Sequence, residues 1–383
     1  MIKKIIILIC AVFLFADELV ITKYFNDKPK IEINFHGNNQ VLKILKMDLT
    51  VLDHFNYSIN NDGNATYRFE FNYSNKRLLV KYYEKNLLKL EKIYKSNSYA
   101  YFPFLVHKAV YDINRWFNMP DAEFLIRKVV YSMLVAPKQS NIYISDYTLS
   151  YKKRIISGGL NIFPKWADKA QNIIYYTALK RAPTLYRLNL RTGKKEKLLT
   201  SQGMLIVSDV GKNKLLLTLA PEGQPDVYEY DVLSKKLIKI TKYEGIDVNG
   251  KFWGDKTVFI SDRYGMPMVF SKTFHGSVTR VLYHGKNQVG VDAYKNYLVI
   301  SSRESDNAFK ANTFNLFLVN KNDDSLKRLT FSGQNSYPNF SVDGNSIMFI
   351  KRENFYSKIG IIRLNENKVF YYPLPKILQS FDW

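Results

Sequence analysis

The chain has almost no cysteine. Its single copy among 383 residues is Cys10, which lies inside the apolar N-terminal stretch. Ile9 is bulky where a lipid-attachment site needs a small residue, so we expect no lipid on Cys10. A mature chain without thiols excludes disulfides, thiolate metal sites and cysteine catalysis.

Long apolar runs are also scarce, and the one near the N-terminus is short. Lys3 and Lys4 precede the 11 apolar residues 5–15, and the small residue Ala16 follows. This pattern predicts a secretory signal peptide over residues 1–16, cleaved after Ala16. The alternative is a buried N-terminal strand. No later segment approaches the roughly 18 apolar residues of a membrane span, so we expect a soluble, exported protein.

The sequence lacks the common signatures of catalysis and metal binding. Its five histidines show no metal-ligand spacing, and there is no G-x-S-x-G elbow and no phosphate-binding glycine loop. The segment NKNDDS (320–325) alternates oxygen ligands but lacks the glycine and distal glutamate of a calcium loop. Asp262 and Arg263 are interpreted as a turn rather than a catalytic pair. We therefore expect no cofactor, no metal and no enzymatic activity.

Charge is abundant but dispersed. The formal net charge is +22, yet no run of five basic residues occurs. This distribution is typical of a solvated surface, and export makes nucleic acid an unexpected partner.

The clearest positive signal is a repeat. Apolar, β-prone segments recur at intervals of 44, 42, 42, 40 and 49 residues. They begin at Val129, Ile173, Leu215, Thr257, Tyr297 and Ser346. A second strand follows each, and a third follows most, with turn signals such as RTGKK (191–195) between them. Six repeats of about 42 residues predict a six-bladed β-propeller over residues 121–383, whose C-terminal strand closes the ring by joining the first blade.

A different pattern precedes the propeller. The segment 31–37 is strand-like, and Val41, Ile44, Leu45, Leu49 and Leu52 have helical spacing after a capping Asn38 or Asn39. Hairpin strands follow, and then a second helix over 103–117. Residues 17–120 are therefore predicted to form a small α/β domain.

Three stretches resemble the TolB family. LKMDLTVLDHF (45–55) is similar to its first-helix segment, and FISDRYGMPMVF (259–270) is similar to a blade motif through Ser261, Asp262, Arg263, Gly265 and Pro267. Residues 106–132 resemble its interdomain segment. The matching positions there are His107, Asp112, Phe124 and Arg127.

The resemblance implies a non-enzymatic, periplasmic adaptor of the Tol–Pal system. Such a protein binds the outer-membrane lipoprotein Pal through its propeller and the inner-membrane protein TolA through its mature N-terminus, and it supports outer-membrane integrity and cell division. The resemblance also implies a monomer that has no small-molecule substrate. Other outer-membrane proteins are further expected partners. The implied TolA-binding residues are Asp17, Glu18, Leu19, Val20, Ile21 and Thr22.

The implied Pal-binding residues are Gln202, Leu205, Val248 and Asn249. They lie in loops at 200–205 and 243–249, and the loops 262–267, 284–289 and 332–337 are expected on the same face. Because these loops are rich in Gly, Gln and Asn, we expect a polar rim with few large exposed apolar side chains. The competing hypothesis is an exported propeller hydrolase that acts on a sugar or lactone in the central funnel. It is disfavoured because the inner strands offer little beyond Asp292 for acid–base chemistry.

Overall fold

In the computed structural model, the described residues are 28–61, 65–303, 313–353, 356–374 and 378–383. The first part of the chain is a five-stranded sheet backed by two helices. Its elements are β1 (Lys30–His36), α1 (Asn39–Leu52), β2 (Asn56–Ile59), β3 (Tyr67–Ser74), β4 (Arg77–Glu84), β5 (Leu87–Lys95) and α2 (Phe102–Trp116). The strand order is β2-β1-β3-β4-β5, with β1 parallel to both of its neighbours.

Helix α1 forms as the sequence pattern predicts. The Asn38 side chain accepts a hydrogen bond from the backbone N–H of Val41 at 2.9 Å, which caps the first turn. Asp53 adopts a left-handed conformation (φ 55°) and ends the helix. The predicted apolar stripe is confirmed, because all five of its members are buried: Val41, Ile44, Leu45, Leu49 and Leu52.

A long series of antiparallel strands follows. Their bounds are β6 (Val129–Ala136), β7 (Gln139–Ser145), β8 (Lys152–Ile156), β9 (Leu160–Trp166), β10 (Ile173–Leu179), β11 (Pro183–Asn189), β12 (Lys195–Thr200), β13 (Leu205–Val210), β14 (Lys214–Leu219), β15 (Asp226–Asp231), β16 (Leu237–Lys239), β17 (Asp247–Trp253), β18 (Lys256–Ser261), β19 (Met268–Thr273), β20 (Thr279–Arg280), β21 (Lys286–Tyr294), β22 (Tyr297–Arg303), β23 (Asn315–Asn320), β24 (Ser325–Arg328), β25 (Gln334–Phe340), β26 (Ser346–Glu353), β27 (Tyr356–Arg363), β28 (Lys368–Leu374) and β29 (Leu378–Asp382).

These strands build a β-propeller after the α/β region. Strands β13–β16, β17–β20, β21–β24 and β25–β28 each form a four-stranded sheet. The remaining strands form one eight-stranded sheet of order β12-β11-β10-β9-β7-β6-β29, with β8 paired to β7. In that sheet the C-terminal strand β29 pairs with β6, and Phe381 lies opposite Tyr131. The predicted closure by the C-terminal strand is therefore confirmed.

The α/β region packs directly on the propeller. One hydrophobic cluster contains α1 and α2 side chains together with residues of β6, β26 to β29 and the segment after α2. Phe124 is fully buried between the two parts, with its ring centroid 5.5 Å from that of Tyr147 and 6.0 Å from that of Trp383. Because the core is shared, the two parts support each other.

Candidate functional site

The propeller encloses a central cavity of about 480 Å³ that opens on one face. The innermost strands of the sheets and the loops before them supply its wall. Its lining includes Phe163, Lys165, Met204, Ile206, Val248, Asn249, Lys251, Val289, Tyr337, Asn339, Arg352 and Phe381. The wall is therefore largely apolar, with a few charged groups deep inside.

The two lysines in the cavity wall are paired. Lys251 Nζ lies 2.9 Å from Asp292 Oδ1 and 3.9 Å from Asp209 Oδ1, and Lys165 Nζ lies 2.8 Å from Asp382 Oδ1. Burial alone would lower the pKa of Lys251, but the charges of Asp292 and Asp209 raise it above its ordinary value. Lys251 is therefore a permanent cation in this channel.

The same three carboxylates also accept backbone hydrogen bonds from neighbouring inner strands. Asp209 accepts a hydrogen bond from the backbone N–H of Phe252 at 2.9 Å. Asp292 accepts one from Phe340 at 2.8 Å, and Asp382 accepts one from Trp166 at 2.9 Å. The expectation that the inner strands offer little beyond Asp292 is thus wrong, because Asp209 and Asp382 also lie near the ends of β13 and β29. All three already serve as ion-pair partners of lysines and as acceptors of backbone hydrogen bonds.

The rim of the open face is more apolar than the sequence predicts. Met204, Val289 and Tyr337 line the mouth of the cavity and are 45%, 43% and 44% exposed. Beside them, Ile246 and Tyr264 are 47% and 73% exposed. The expectation of a polar rim is therefore wrong. The glycine, asparagine and glutamine residues of these loops lie in the turns, and the apolar residues next to them are exposed to solvent.

Several rim loops are also shorter than predicted. Strands β17, β21 and β25 begin at Asp247, Lys286 and Gln334, inside the segments that were expected to be loops. Pairing with the neighbouring strand extends each inner strand toward the mouth, which places its first side chains on the rim.

The four predicted Pal-binding residues have different environments. Gln202 is exposed beside Met204, and Val248 and Asn249 are half-buried in the cavity wall. Asn249 has φ +55° and its backbone N–H donates to Thr218 Oγ1 at 3.1 Å. Leu205 is only 2% exposed and packs in the core of its sheet, so the expectation that it offers a surface contact is wrong. It is the first residue of β13 and points inward, which leaves its neighbour Met204 as the exposed apolar side chain.

The Asp262–Arg263 loop is structural, as its interpretation as a turn predicts. The backbone N–H of Gly265 donates to the carbonyl of Asp262 at 2.7 Å, and Asp262 Oδ1 accepts from the N–H of Ile246 at 2.8 Å. Arg263 Nη2 lies 3.1 Å from Oδ2 of the fully buried Asp247. These contacts hold two rim loops together.

A buried ionic cluster joins the α/β region to the other face of the propeller. His107 of α2 is fully buried, with Nδ1 2.8 Å from Asp48 Oδ1 and Nε2 3.2 Å from Asp146 Oδ2. Burial by itself would lower the pKa of His107, but the two carboxylates raise it to about 9. His107 is therefore a cation that donates to both parts of the chain.

A second polar cluster lies beside the first. His54 Nε2 is 2.7 Å from Glu366 Oε1, and His54 Nδ1 is 2.6 Å from Asn114 Oδ1. Arg363 is fully buried and lies 3.1 Å from the same glutamate. No sequence motif indicates His54 or Glu366, because these residues are 312 positions apart and only folding brings them together.

The predicted TolA-binding residues 17–22 lie outside the described residues. Within the described ranges, no group of three or more His, Cys, Asp or Glu side chains is placed to hold a metal ion. None of the helices described is long and apolar enough to cross a membrane.

Comparisons with known proteins agree with this architecture. The model of the TolB beta propeller domain matches residues 124–316. Tol-Pal system protein TolB of Helicobacter hepaticus is 38% identical over 416 aligned positions, which cover 99% of each chain. Its counterpart in Campylobacter jejuni (strain RM1221) is 40% identical over 374 positions, covering 93% of this chain and 92% of its own. The crystal structure of TolB from Acinetobacter baumannii shares the fold, with a TM-score of 0.78 at 19% identity over 94% of this chain and 97% of its own. The chain therefore belongs to the TolB family and is a component of the Tol–Pal system.

Proposed function

We propose that the chain is a periplasmic, non-catalytic and monomeric adaptor that links TolA at the inner membrane to the lipoprotein Pal at the outer membrane. In this role it supports outer-membrane integrity and cell division. The observation that carries the proposal is the open face of the propeller, where three exposed apolar side chains line the mouth of a cavity and two more, Ile246 and Tyr264, lie on rim loops. Protein interfaces commonly have such a combination of apolar anchors and a polar surround.

We also propose the finer organisation expected from the sequence: a signal peptide at 1–16, an α/β domain at 17–120 and a six-bladed propeller at 121–383. Strands β7 and β9 of the eight-stranded sheet are joined by a single parallel pair, Ser140 and Leu160. In our interpretation this sheet is two blades, β29-β6-β7-β8 and β9 to β12, which with the four separate sheets makes six.

The arrangement of charges favours an adaptor over the alternative hydrolase. Acid–base catalysis needs a carboxyl group or histidine that is free to exchange a proton with a substrate. The three channel carboxylates lie in ion pairs with lysines and accept backbone hydrogen bonds, so their replacement would weaken the ring itself.

Titration calorimetry with purified Pal tests the docking face. Changing Met204 or Val289 to Asp places a charge on the apolar rim, and we expect each change to weaken binding by about 1–3 kcal/mol. Leu233 is 73% exposed at the opposite end of its blade, so Leu233→Asp is a matched control that should bind normally. Unchanged binding by both rim variants would place the Pal contact elsewhere.

The TolA contact is tested separately. DELVITKYF (17–25) alternates side chains as an extended strand does and could add to a sheet edge of a partner. Deleting residues 17–26 is expected to abolish TolA binding and leave the melting temperature nearly unchanged. A large fall in melting temperature would instead assign this segment to the α/β domain.

A further inference from the structure

A second cavity, of about 250 Å³, lies at the junction of the α/β region and the propeller, where α2 meets β8 and the turns that follow β9 and β11. Three cationic side chains line it: Lys128, Lys153 and Arg191. It is separate from the open face of the propeller, and neither the Pal nor the TolA contact proposed above involves it.

These cations lack anionic partners. Among the described residues, no carboxylate lies within 4.0 Å of the charged nitrogens of Lys128, Lys153 or Arg191, although 21 ion pairs occur elsewhere. Lys128 is half-buried. Its pKa is lowered by that burial and then by the charges of Arg127 and Lys153. Buried charges are normally paired, so this lysine is in an environment that an anion would stabilise.

Side chains of two other residues fix the backbone of Lys128. Gln171 accepts a hydrogen bond from the Lys128 backbone N–H at 2.8 Å and donates one to its carbonyl at 2.8 Å. Trp166 Nε1 also donates to that carbonyl at 3.1 Å. The lysine is thus held by three hydrogen bonds from the neighbouring blade.

Strand register directs the cations to one side. Val130 pairs with Ile144, and Ile144 pairs with Lys153. Residues paired across strands share a face and successive residues of a strand face opposite ways, so Lys153 lies on the same face as Val130, whereas Lys152 lies on the other. Lys128, which directly precedes β6, lines the same cavity as Lys153.

Aromatic rings form the remaining wall. The ring centroid of Tyr101 lies 4.5 Å from that of Phe104 and 5.5 Å from that of Tyr151, and the Phe104 and Tyr151 centroids are 5.5 Å apart. An apolar wall lowers the local dielectric constant and strengthens attraction between the cations and a bound anion.

We propose that this cavity binds a phosphate or phosphoester anion through Lys128, Lys153 and Arg191. Several converging cations suit an anion with more than one negative oxygen, and the arginine guanidinium matches phosphate in a two-pronged geometry. The phosphate could be free in solution or belong to a lipid headgroup, and the experiment separates these two sources.

The experiment uses the full mature chain in low-salt buffer. In the first arm, inorganic phosphate is titrated and binding is measured by calorimetry. In the second, the protein is sedimented with phosphatidylcholine vesicles, with and without phosphatidylglycerol. We expect binding to phosphate, to the anionic vesicles, or to both. Lys128→Met and Lys153→Met should each weaken it about tenfold.

Lys152→Met is the matched control, because it removes the same charge from the same strand but on the opposite side. It should leave the affinity within about twofold of the unaltered chain. Lys153 is exposed, so its variant still tests the site if the Lys128 variant folds poorly. Binding in neither arm, or an equal loss in the Lys152 variant, would overturn the proposal.

Discussion

Replacing His107 with glutamine is expected to weaken the attachment of the α/β region to the propeller. The imidazolium lies between Asp48 of α1 and Asp146, which follows β7. Tyr147 also donates its hydroxyl to Asp48, at 2.7 Å. Glutamine can keep one hydrogen bond but carries no charge, so two fully buried carboxylates would face each other without a cation.

The structure sets the magnitude of this effect. Breaking a buried ion pair by removing one partner typically costs about 3–5 kcal/mol. The pKa gives a similar figure, because the difference between about 9 in the folded chain and an ordinary value of 6.5 corresponds to about 3 kcal/mol. We therefore expect the free energy of unfolding to fall by about 3 kcal/mol or more.

The sign of the pH dependence follows from the raised pKa. Folding holds the proton on His107, so this contribution to stability is fully present below about pH 6.5 and is lost as the pH rises through about 9. In the glutamine variant that alkaline loss should disappear. Burial raises the pKa of Asp48, so the variant should recover stability on acidification as one carboxyl group takes up a proton.

Urea unfolding followed by tryptophan fluorescence measures these effects, because Trp383 lies at the junction of the two parts. His275 is exposed, so His275→Gln is the control and should change stability by less than about 0.5 kcal/mol. Combining His107→Gln with Asp48→Asn should cost less than the sum of the two single changes. A loss no larger than that of the control, or full additivity in the double variant, would refute the reasoning.

Three further changes test other contacts by thermal unfolding. Gly344 has φ +75°, and a Cβ added there would lie 2.1 Å from Tyr294 Cε1. Gly344→Ala should therefore lower the free energy of unfolding by roughly 2 kcal/mol. An unchanged melting temperature would contradict this contact. Arg263→Met leaves the buried Asp247 without its cation and should lower the free energy of unfolding by about 3 kcal/mol. A decrease below about 1 kcal/mol would show that the ion pair contributes little to stability. Lys251→Met removes the cation that pairs with two channel carboxylates, and it should lower the free energy of unfolding by a similar amount. A variant as stable as the unaltered chain would contradict this prediction.

The local periodicity of the sequence determined most of the secondary structure and the order of the two regions. The stripe of α1 was predictable because helical spacing alone places Val41, Ile44 and Leu45 on one face. The repeated strands and the return of the C-terminus to β6 were predictable because each repeat needs neighbours on both sides to bury its faces.

Only the tertiary structure decided which side chains form the functional surfaces. Leu205 and Met204 are adjacent and both apolar. Leu205 is buried and Met204 is exposed because β13 begins to pair with β14 at Leu205. Asp48 and His107 are 59 residues apart, and no local pattern indicates that Asp146 completes their cluster. Spacing along the chain is a local property, whereas charge pairing and cavity formation depend on segments that meet only after the ring has closed.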